Sequence, residues 1–339
     1  MKEKKMSRVT LQQVAAHAGV SRATASLILR GSSQISDSTR DKVMKSMHEL
    51  GYVYDRVAAN LRSHRSSTVG LIITEIANPF FAELLVGVHQ ELDDFGYSVI
   101  LGTTFDLMSK QERLLASMLE YRAGGVILCP VSESSYEVVD ILQQWDIPVV
   151  LVAKELPGAK CDYVGVDNVH GAELAVEHLV NLGHHRIAFL GGPTESSPWR
   201  ERKQGYYNIL RKFGLEIIDS LIFPSPATRE GGIDAIKRAL SLPSLPTAAF
   251  CFNDVVAIGV MQGLMNSDLY PGKDMAIVGF DDIPEVSIFT PGLTTISSSP
   301  RLIGKYAAQL LHKRMFNLGT DDTQRIILNP ELIIRDSTK

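Results

Sequence analysis

The sequence predicts a small all-α module followed by an α/β core of two doubly wound parallel-sheet subdomains. Three observations predict this class. The first 54 residues contain no Phe or Trp and only two Tyr, Tyr52 and Tyr54, so their core is built from Ala, Val, Ile, Leu and Met, which suits short helices. Beyond them, apolar runs alternate with amphipathic stretches, the pattern of parallel strands covered by helices on both faces. Charge divides the chain at the same place. Residues 1–65 hold 12 Lys+Arg against 5 Asp+Glu, which leaves 22 against 33 for the rest.

The elements follow in order. Thr10-Leu11-Gln12-Gln13 has the T-x-x-Q form of a capping box and opens a helix that Gly19 stops about two turns later. Ser21 caps a second helix running to Gly31. Ser36 or Ser38 caps a third, in which Val43, Met47 and Leu50 recur at helical spacing before Gly51. From Asp55 to Ser67 the chain turns polar and basic, with one short helical stretch, and reads as a linker. Strand-like runs then occur at Val69 to Thr74, Ser98 to Thr103, Gly125 to Cys129, Pro148 to Val152, Ile187 to Gly191, Ala248 to Phe252 and Met275 to Phe280. Helical patterns separate them, at Phe80 to Phe95, Lys110 to Tyr121, Ala172 to Leu182, Arg202 to Phe213 and Val255 to Met265. The strands are too many for one compact sheet, and a break near Lys160 to Tyr163 divides them into two.

Composition narrows the function classes. The chain has 339 residues, 45% hydrophobic and 21% charged, an ordinary globular balance that rules out disorder and collagen-like repeats. No apolar run approaches the ~18 residues of a membrane span, and Met1-Lys2-Glu3-Lys4-Lys5 does not open a signal peptide, so a cytoplasmic protein without membrane contact is expected. Cys129, Cys161 and Cys251 lie far apart and form no C-x-x-C, which favours buried thiols over a disulfide framework or a zinc site. No cofactor is implied. No G-x-S-x-G, G-x-x-x-x-G-K-[ST] or G-x-G-x-x-G opens a helix, and the adjacent His184-His185 lacks the i, i+4 spacing of a metal pair, so an enzyme is not expected.

The basic head points to nucleic acid, although charge alone does not separate that reading from a solvated tail. Leu11 to Ala18 and Ser21 to Arg30 are joined by Gly19-Val20, and Ala15, Ala16, Ala18, Ala23 and Ala25 let the two helices cross closely, as a helix-turn-helix requires. Its second helix would lie in the major groove and present Ser21, Arg22, Ala23, Thr24 and Ser26 near its start. Arg22 is the best base reader, because a guanidinium pairs bidentately with guanine, whereas Ala23 touches only a thymine methyl.

The run Val-Thr-Leu-Gln-Gln-Val-Ala-Ala-His-Ala-Gly-Val-Ser-Arg-Ala-Thr-Ala-Ser, Val9 to Ser26, resembles the helix-turn-helix of the lac repressor and galactose repressor family. Gly51-Tyr52-Val53-Tyr54 with Arg56-Val57-Ala58-Ala59-Asn60-Leu61 is similar to that family's hinge. Further matches are Val69-Gly70-Leu71-Ile72, Asn78-Pro79-Phe80-Phe81, Glu177-His178-Leu179 with Leu182-Gly183-His184, Asn253-Asp254, Val278-Gly279-Phe280-Asp281-Asp282 and Leu293-Thr294-Thr295-Ile296. They fall in the family's order over nearly the whole chain. Leu27-Ile28-Leu29, Arg200 to Tyr206 and Lys212 to Leu215 resemble the maltose-related repressor subgroup more than the lac repressor.

The resemblance implies a homodimeric repressor of palindromic double-stranded operator DNA, with a body similar to periplasmic sugar-binding proteins and a small-molecule effector, a carbohydrate or a nucleobase. It implies a DNA-binding domain over 7–54, a hinge helix and linker over 55–66, and a core over 67–339. That core would divide into an N-subdomain of 67–161 plus 293–323 and a C-subdomain of 162–292 plus 324–339. DNA-facing candidates are Thr10, Ser21, Arg22, Ala23, Thr24, Ser26, Ser36 and Tyr52 in the head, with Arg56, Leu61 and Arg62 in the hinge. A hinge this short is marginal alone and is expected to fold when two copies pack on DNA, with Leu61 wedged into the minor groove beside Arg62.

Effector candidates are Arg202, Asn253 and Asp281 as polar partners for sugar hydroxyls, with Phe80 and Phe81 as an apolar wall and Trp199 as a stacking platform. Residue by residue, helix capping by Asn253, a core position for the two phenylalanines and a rim position for Trp199 remain open alternatives. Three departures stand out. Leu27 replaces the arginine many members carry in the recognition helix, Ala153 replaces an acid seen near the ligand in the lac repressor, and Ser225 to Thr228 holds no aromatic platform. A regulator whose cleft no longer senses a ligand is the alternative within the family. A secreted solute-binding protein would have no use for the basic head.

Overall fold

A computed structural model describes residues 9–29, 32, 34–53, 66–318 and 322–339. The chain divides into two units, Met1–Arg65 and Ser66–Lys339. In the first, helices Leu11–Ala18, Arg22–Leu29 and Asp37–Leu50 close over Val14, Ala15, Ala25, Ile28 and Val43, with Tyr52 packed at the edge of that cluster. The capping box forms as expected. Thr10 Oγ1 accepts from the Gln13 amide at 3.3 Å, and Gln13 Oε1 accepts from the Thr10 amide at 2.8 Å. Gly19 takes φ 70°, the left-handed conformation that ends the first helix, and Ser21 Oγ caps the second by accepting from the Thr24 amide at 3.0 Å. The third helix differs from expectation. Ser36 occupies its N-cap position but makes no side-chain cap; its hydroxyl pairs with Thr39 Oγ1 at 2.9 Å.

The second unit contains two six-stranded sheets. In chain order the strands are β1 (Thr68–Ile73), β2 (Ser98–Thr103), β3 (Gly125–Leu128), β4 (Val149–Val152), β5 (Asp162–Val166), β6 (Ile187–Leu190), β7 (Ile222–Phe223), β8 (Ala248–Cys251), β9 (Ala276–Asp281), β10 (Thr294–Ser297), β11 (Arg325–Leu328) and β12 (Glu331–Ile333). The first sheet runs β11-β5-β4-β3-β1-β2, all parallel, and the second runs β12-β10-β9-β8-β6-β7, parallel except for β12. Each strand predicted from apolar runs is present. Their central members are buried throughout, as expected when helices cover both faces. Helices Pro79–Asp94 and Pro300–Met315 cross on the first sheet so closely that a Cβ on Gly304 would lie 2.2 Å from the Leu84 carbonyl oxygen.

The subdomain boundaries differ from those expected at 161, 293 and 323. β5 continues the first sheet, pairing Val150 with Asp162 and Val164 with Ile326, so the first lobe extends to Val166. β10 pairs with β9 and belongs to the second sheet, while β11 returns to the first. Apolar patterning alone does not show this, since β10 reads Thr-Thr-Ile-Ser and β5 begins on the buried Asp162, whose carboxylate accepts two bonds from Arg314. Among the described residues the chain crosses between lobes three times, at Asp167, at Ser298–Ser299 and at Asn329–Pro330. Among the described residues no helix is long and apolar enough to cross a membrane.

Candidate functional site

In the head, Ser21, Arg22 and Ala23 are exposed at the start of the second helix, and Thr24 and Ser26 are partly exposed, while Ala25 and Ile28 face the core. That is the arrangement a helix needs to offer one face to a groove while the other packs. Thr10 and Ser36 are exposed and Tyr52 is half-buried. Arg56, Leu61 and Arg62, the expected hinge residues, lie outside the described residues.

In the body, the loops at the carboxyl ends of the strands line a cleft of about 610 Å³ between the two sheets, the place where open parallel sheets bind ligands. Thr74 and Glu75 follow β1, Phe105 and Asp106 follow β2, Cys129 follows β3, and Ala153 and Lys154 follow β4. From the second lobe come Gly192 to Glu195 after β6, Pro224 to Thr228 after β7, Phe252 and Asn253 after β8, and Asp281 at the end of β9. The structure brings together five of the six expected effector residues. Phe80 and Phe81 meet edge to face with centroids 5.1 Å apart and line one wall.

Arg202 is 6% exposed, and its guanidinium is held from every side. Nε donates to Asn168 Oδ1 at 2.9 Å, Nη1 donates to the Phe252 carbonyl, and Nη2 lies 3.8 Å from Asp281 Oδ1. The Phe280 and Phe252 rings stack at 3.6 and 4.8 Å from its central carbon. Burial pushes the Asp281 carboxyl up to about 7, against the pull of Arg202. Behind it Asp254 is fully buried and raised well above the carboxylate range by burial and by Asp281, although Thr295 Oγ1 (2.5 Å) and the Ile283 amide (2.9 Å) both donate to it. Asn253 both lines the cleft and caps the Asp254–Met265 helix through the Val256 amide at 3.0 Å.

Trp199 is placed apart from the cleft lining. Its indole Nε1 donates to the Gly191 carbonyl at 3.1 Å and its ring packs near Phe189, which makes it a core residue in place of a stacking platform or a rim aromatic. Sequence reasoning missed a second polar pole in the first lobe. There Lys154 Nζ donates to Asp106 Oδ1 at 2.8 Å and to Ser132 Oγ at 3.0 Å, and Ser132 donates through its amide and hydroxyl to Asp106 at 2.9 and 2.7 Å. Burial alone would raise Asp106, but the Lys154 charge and these hydrogen bonds hold it below the usual carboxylate range. Phe105, Asp106 and Ala153 all adopt positive φ, 51°, 56° and 61°, a strain concentrated in this wall. Among the described residues, no group of three or more His, Cys, Asp or Glu side chains is placed to hold a metal.

Residues 66–336 match the family model of periplasmic binding proteins and the sugar-binding domain of the LacI family, and residues 10–55 match that of the bacterial regulatory proteins of the lacI family. The ribose operon repressor of Escherichia coli K12 is 32% identical over 97% of this chain and 99% of its own. The HTH-type transcriptional repressor PurR of Photobacterium profundum is 30% identical over 97% of this chain and 98% of its own. Among solved structures, a lac repressor dimer bound to operator and the anti-inducer ONPF aligns with TM-score 0.84 at 27% identity, covering 98% of this chain and 99% of that one. A complex of the transcriptional regulator CelR with cellobiose aligns with TM-score 0.74 at 30% identity, covering 97% and 100%. With both of its units matched in order and relatives similar along its whole length, the chain belongs to the LacI family of bacterial transcriptional regulators.

Proposed function

We propose that this regulator is a repressor that binds a palindromic operator as a homodimer and answers to an uncharged, hydroxyl-rich effector, a carbohydrate, in the cleft between its two lobes. One observation carries the effector class. The charged residues lining the cleft are Glu75, Asp106, Lys154, Glu195, Arg202 and Asp281, and both cations already have carboxylate partners within 4 Å, Lys154 with Asp106 and Arg202 with Asp281. A phosphate or carboxylate would enter a cleft with more acid than base and compete for cations already engaged. A polyol meets donors and acceptors in pairs and an apolar wall of Phe80, Phe81 and Phe252, the usual lining of a sugar site.

The regulator reading, as opposed to an enzyme, rests on the repressor relatives and on the exposed Ser21-Arg22-Ala23 face, and it places the protein in the cytoplasm with its operator. Effector binding would bias the orientation of the lobes and so the DNA-bound form, with a coupling of about 1–3 kcal/mol, several-fold to a hundred-fold in operator affinity. The test is a thermal-shift screen of the purified chain against neutral mono- and disaccharides, their phosphates and purines, followed by operator titration with each hit. A neutral sugar is expected to raise the unfolding temperature and to change operator affinity, because ligands that bind the native state stabilise it by mass action. A response confined to sugar phosphates or purines would overturn the effector class, and a silent panel would favour a cleft that no longer senses a ligand.

A further inference from the structure

The Arg202–Asp281 pair is tied to two of the three lobe crossovers. Asn168, 2% exposed, is the first residue of the helix that follows the Asp167 crossover, and its Oδ1 accepts from Arg202 Nε at 2.9 Å. Its Nδ2 donates to Glu201 Oε2 at 2.8 Å, so both ends of the amide are engaged and its orientation is fixed. On the other side of the pair, the Asp281 backbone carbonyl accepts from the hydroxyl of Ser298, 1% exposed, at 3.3 Å. Ser298 is the residue at which the chain leaves β10 for the first lobe, and Ser299 beside it has φ 52°. Asp281 itself has φ 119°, so the backbone that presents the carboxylate is strained at the point where it is held. The first crossover is in turn joined to the third, since the Asp167 amide donates to the Leu328 carbonyl at 3.0 Å.

A pair lying in the cleft at 3.8 Å, longer than a tight ion pair, therefore has a crossover fastened to each member. We infer that Asn168 and Ser298 are positioning residues that convert the spacing of Arg202 and Asp281 into the geometry of the crossovers. A hydroxyl entering between guanidinium and carboxylate pulls on both connections at once, which gives the cleft a direct mechanical route to lobe orientation. The inference rests on the proposed effector cleft for its purpose, but the linkage exists without ligand and is tested without one.

Hydrogen exchange of the full-length protein is read by mass spectrometry on peptides covering 163–172 and 294–303; these touch where Gly171 packs on Ile296, so the reversed pair and the Arg202→Met background below separate linkage from that packing. Asn168→Ala is expected to speed exchange in both peptides, although 294–303 contains no partner of Asn168, and Ser298→Ala is expected to do the same in the reverse direction. Asn168→Asp combined with Glu201→Gln keeps the acceptor for Arg202 and reverses the donor towards residue 201, and it is expected to restore slow exchange in 294–303. In an Arg202→Met background, Asn168→Ala is expected to add nothing to 294–303. Changes confined to the peptide that carries each substitution would overturn the inference, as would failure of the reversed pair to restore exchange. Unfolding temperatures measured alongside identify a variant that has merely lost stability, in which exchange rises across the whole body; the Ser298→Ala arm then decides. A silent effector screen would leave these results unchanged, so the two readings fail separately.

Discussion

At one end of the cleft Lys154 Nζ sits 2.8 Å from Asp106; at the other, Arg202 Nη2 sits 3.8 Å from Asp281. The first-lobe pair stands on loops that follow β2 and β4, whereas Asp281 ends β9 and Arg202 lies in the Ser197–Lys212 helix; both carboxylates have positive φ. Their surroundings differ. The Asp106 side chain is 35% exposed and receives two hydrogen bonds from Ser132, so it is held charged. The Asp281 side chain is 6% exposed and shares the Arg202 guanidinium with Asn168 and the Phe252 carbonyl, so burial raises it to about 7 against the pull of that cation; buried Asp254 lies behind it. The contrast teaches that an ion pair is defined by what else its members touch. The first-lobe pair is a partly exposed contact, whereas the second-lobe pair is part of a buried network with two carboxylates and one guanidinium.

The strongest way to break this comparison is to remove the cation at each end. Arg202→Met leaves two buried carboxylates facing stacked aromatic rings and is expected to cost about 3–5 kcal/mol, the range for a buried pair that loses one partner. Lys154→Met leaves a carboxylate that water reaches and Ser132 still holds, and is expected to cost about 1 kcal/mol or less. Urea unfolding of the two variants, followed on the transition of the body, checks this directly. Equal losses would mean that the two pairs are energetically alike.

Stability against pH sharpens the comparison next. Asp281 titrates near about 7 in the folded protein and near ~3.8 when unfolded, so between those values the native state binds the extra proton. Stability from this group is therefore fully present below about pH 4 and falls as pH rises to about 7, by up to about 1.4 kcal/mol per pH unit. Asp106 has the opposite sign. Its contribution is present above the ordinary carboxylate value and is lost as pH falls through its lowered folded one. Asp281→Asn should flatten the unfolding free energy between about pH 4 and 7, with Asp254 keeping a residual slope, and Asp106→Asn should flatten only the acid limb. An unchanged slope in Asp281→Asn would place the titrating proton elsewhere.

The two poles were not equally legible in the sequence. Arg202, Asn253 and Asp281 each sit in a run that resembles the family, and two of them directly follow or end an apolar strand, so pattern reading reaches them. Asp106, Ser132 and Lys154 come from loops after three different strands, and they converge only because Phe105, Asp106 and Ala153 turn through positive φ, which no periodicity encodes. Trp199 shows the reverse: an aromatic in a polar run reads as a platform, but its ring is buried against Phe189 and does not line the cleft. The three-helix head and the alternation of strands and helices were readable because periodicity acts over whole elements. The crossovers were not, since β5 and β10 join β4 and β9 by pairings that their own residues do not announce, and β11 returns to pair with β5, far back in the sequence.

The smallest expected effect tests how the first-lobe pole is built. Ser132 Oγ donates to Asp106 Oδ2 and accepts from Lys154 Nζ, so Ser132→Ala removes two contacts at once. The Ser132 amide still donates to Asp106 Oδ1, and Lys154 still reaches the same oxygen at 2.8 Å. With both charges paired and the site partly open to water, the loss is expected to be about 0.5 kcal/mol, the lower end for a hydrogen bond. In a double-mutant cycle with Lys154→Met the two losses should fall short of additive, because each substitution removes the same Ser132–Lys154 contact. If Ser132→Ala instead cost more than Lys154→Met, the serine would organise this pole and the lysine would be a passenger; the first-lobe contact would then resemble the buried network of the second lobe, where a neutral side chain, Asn168, fixes the position of the charge.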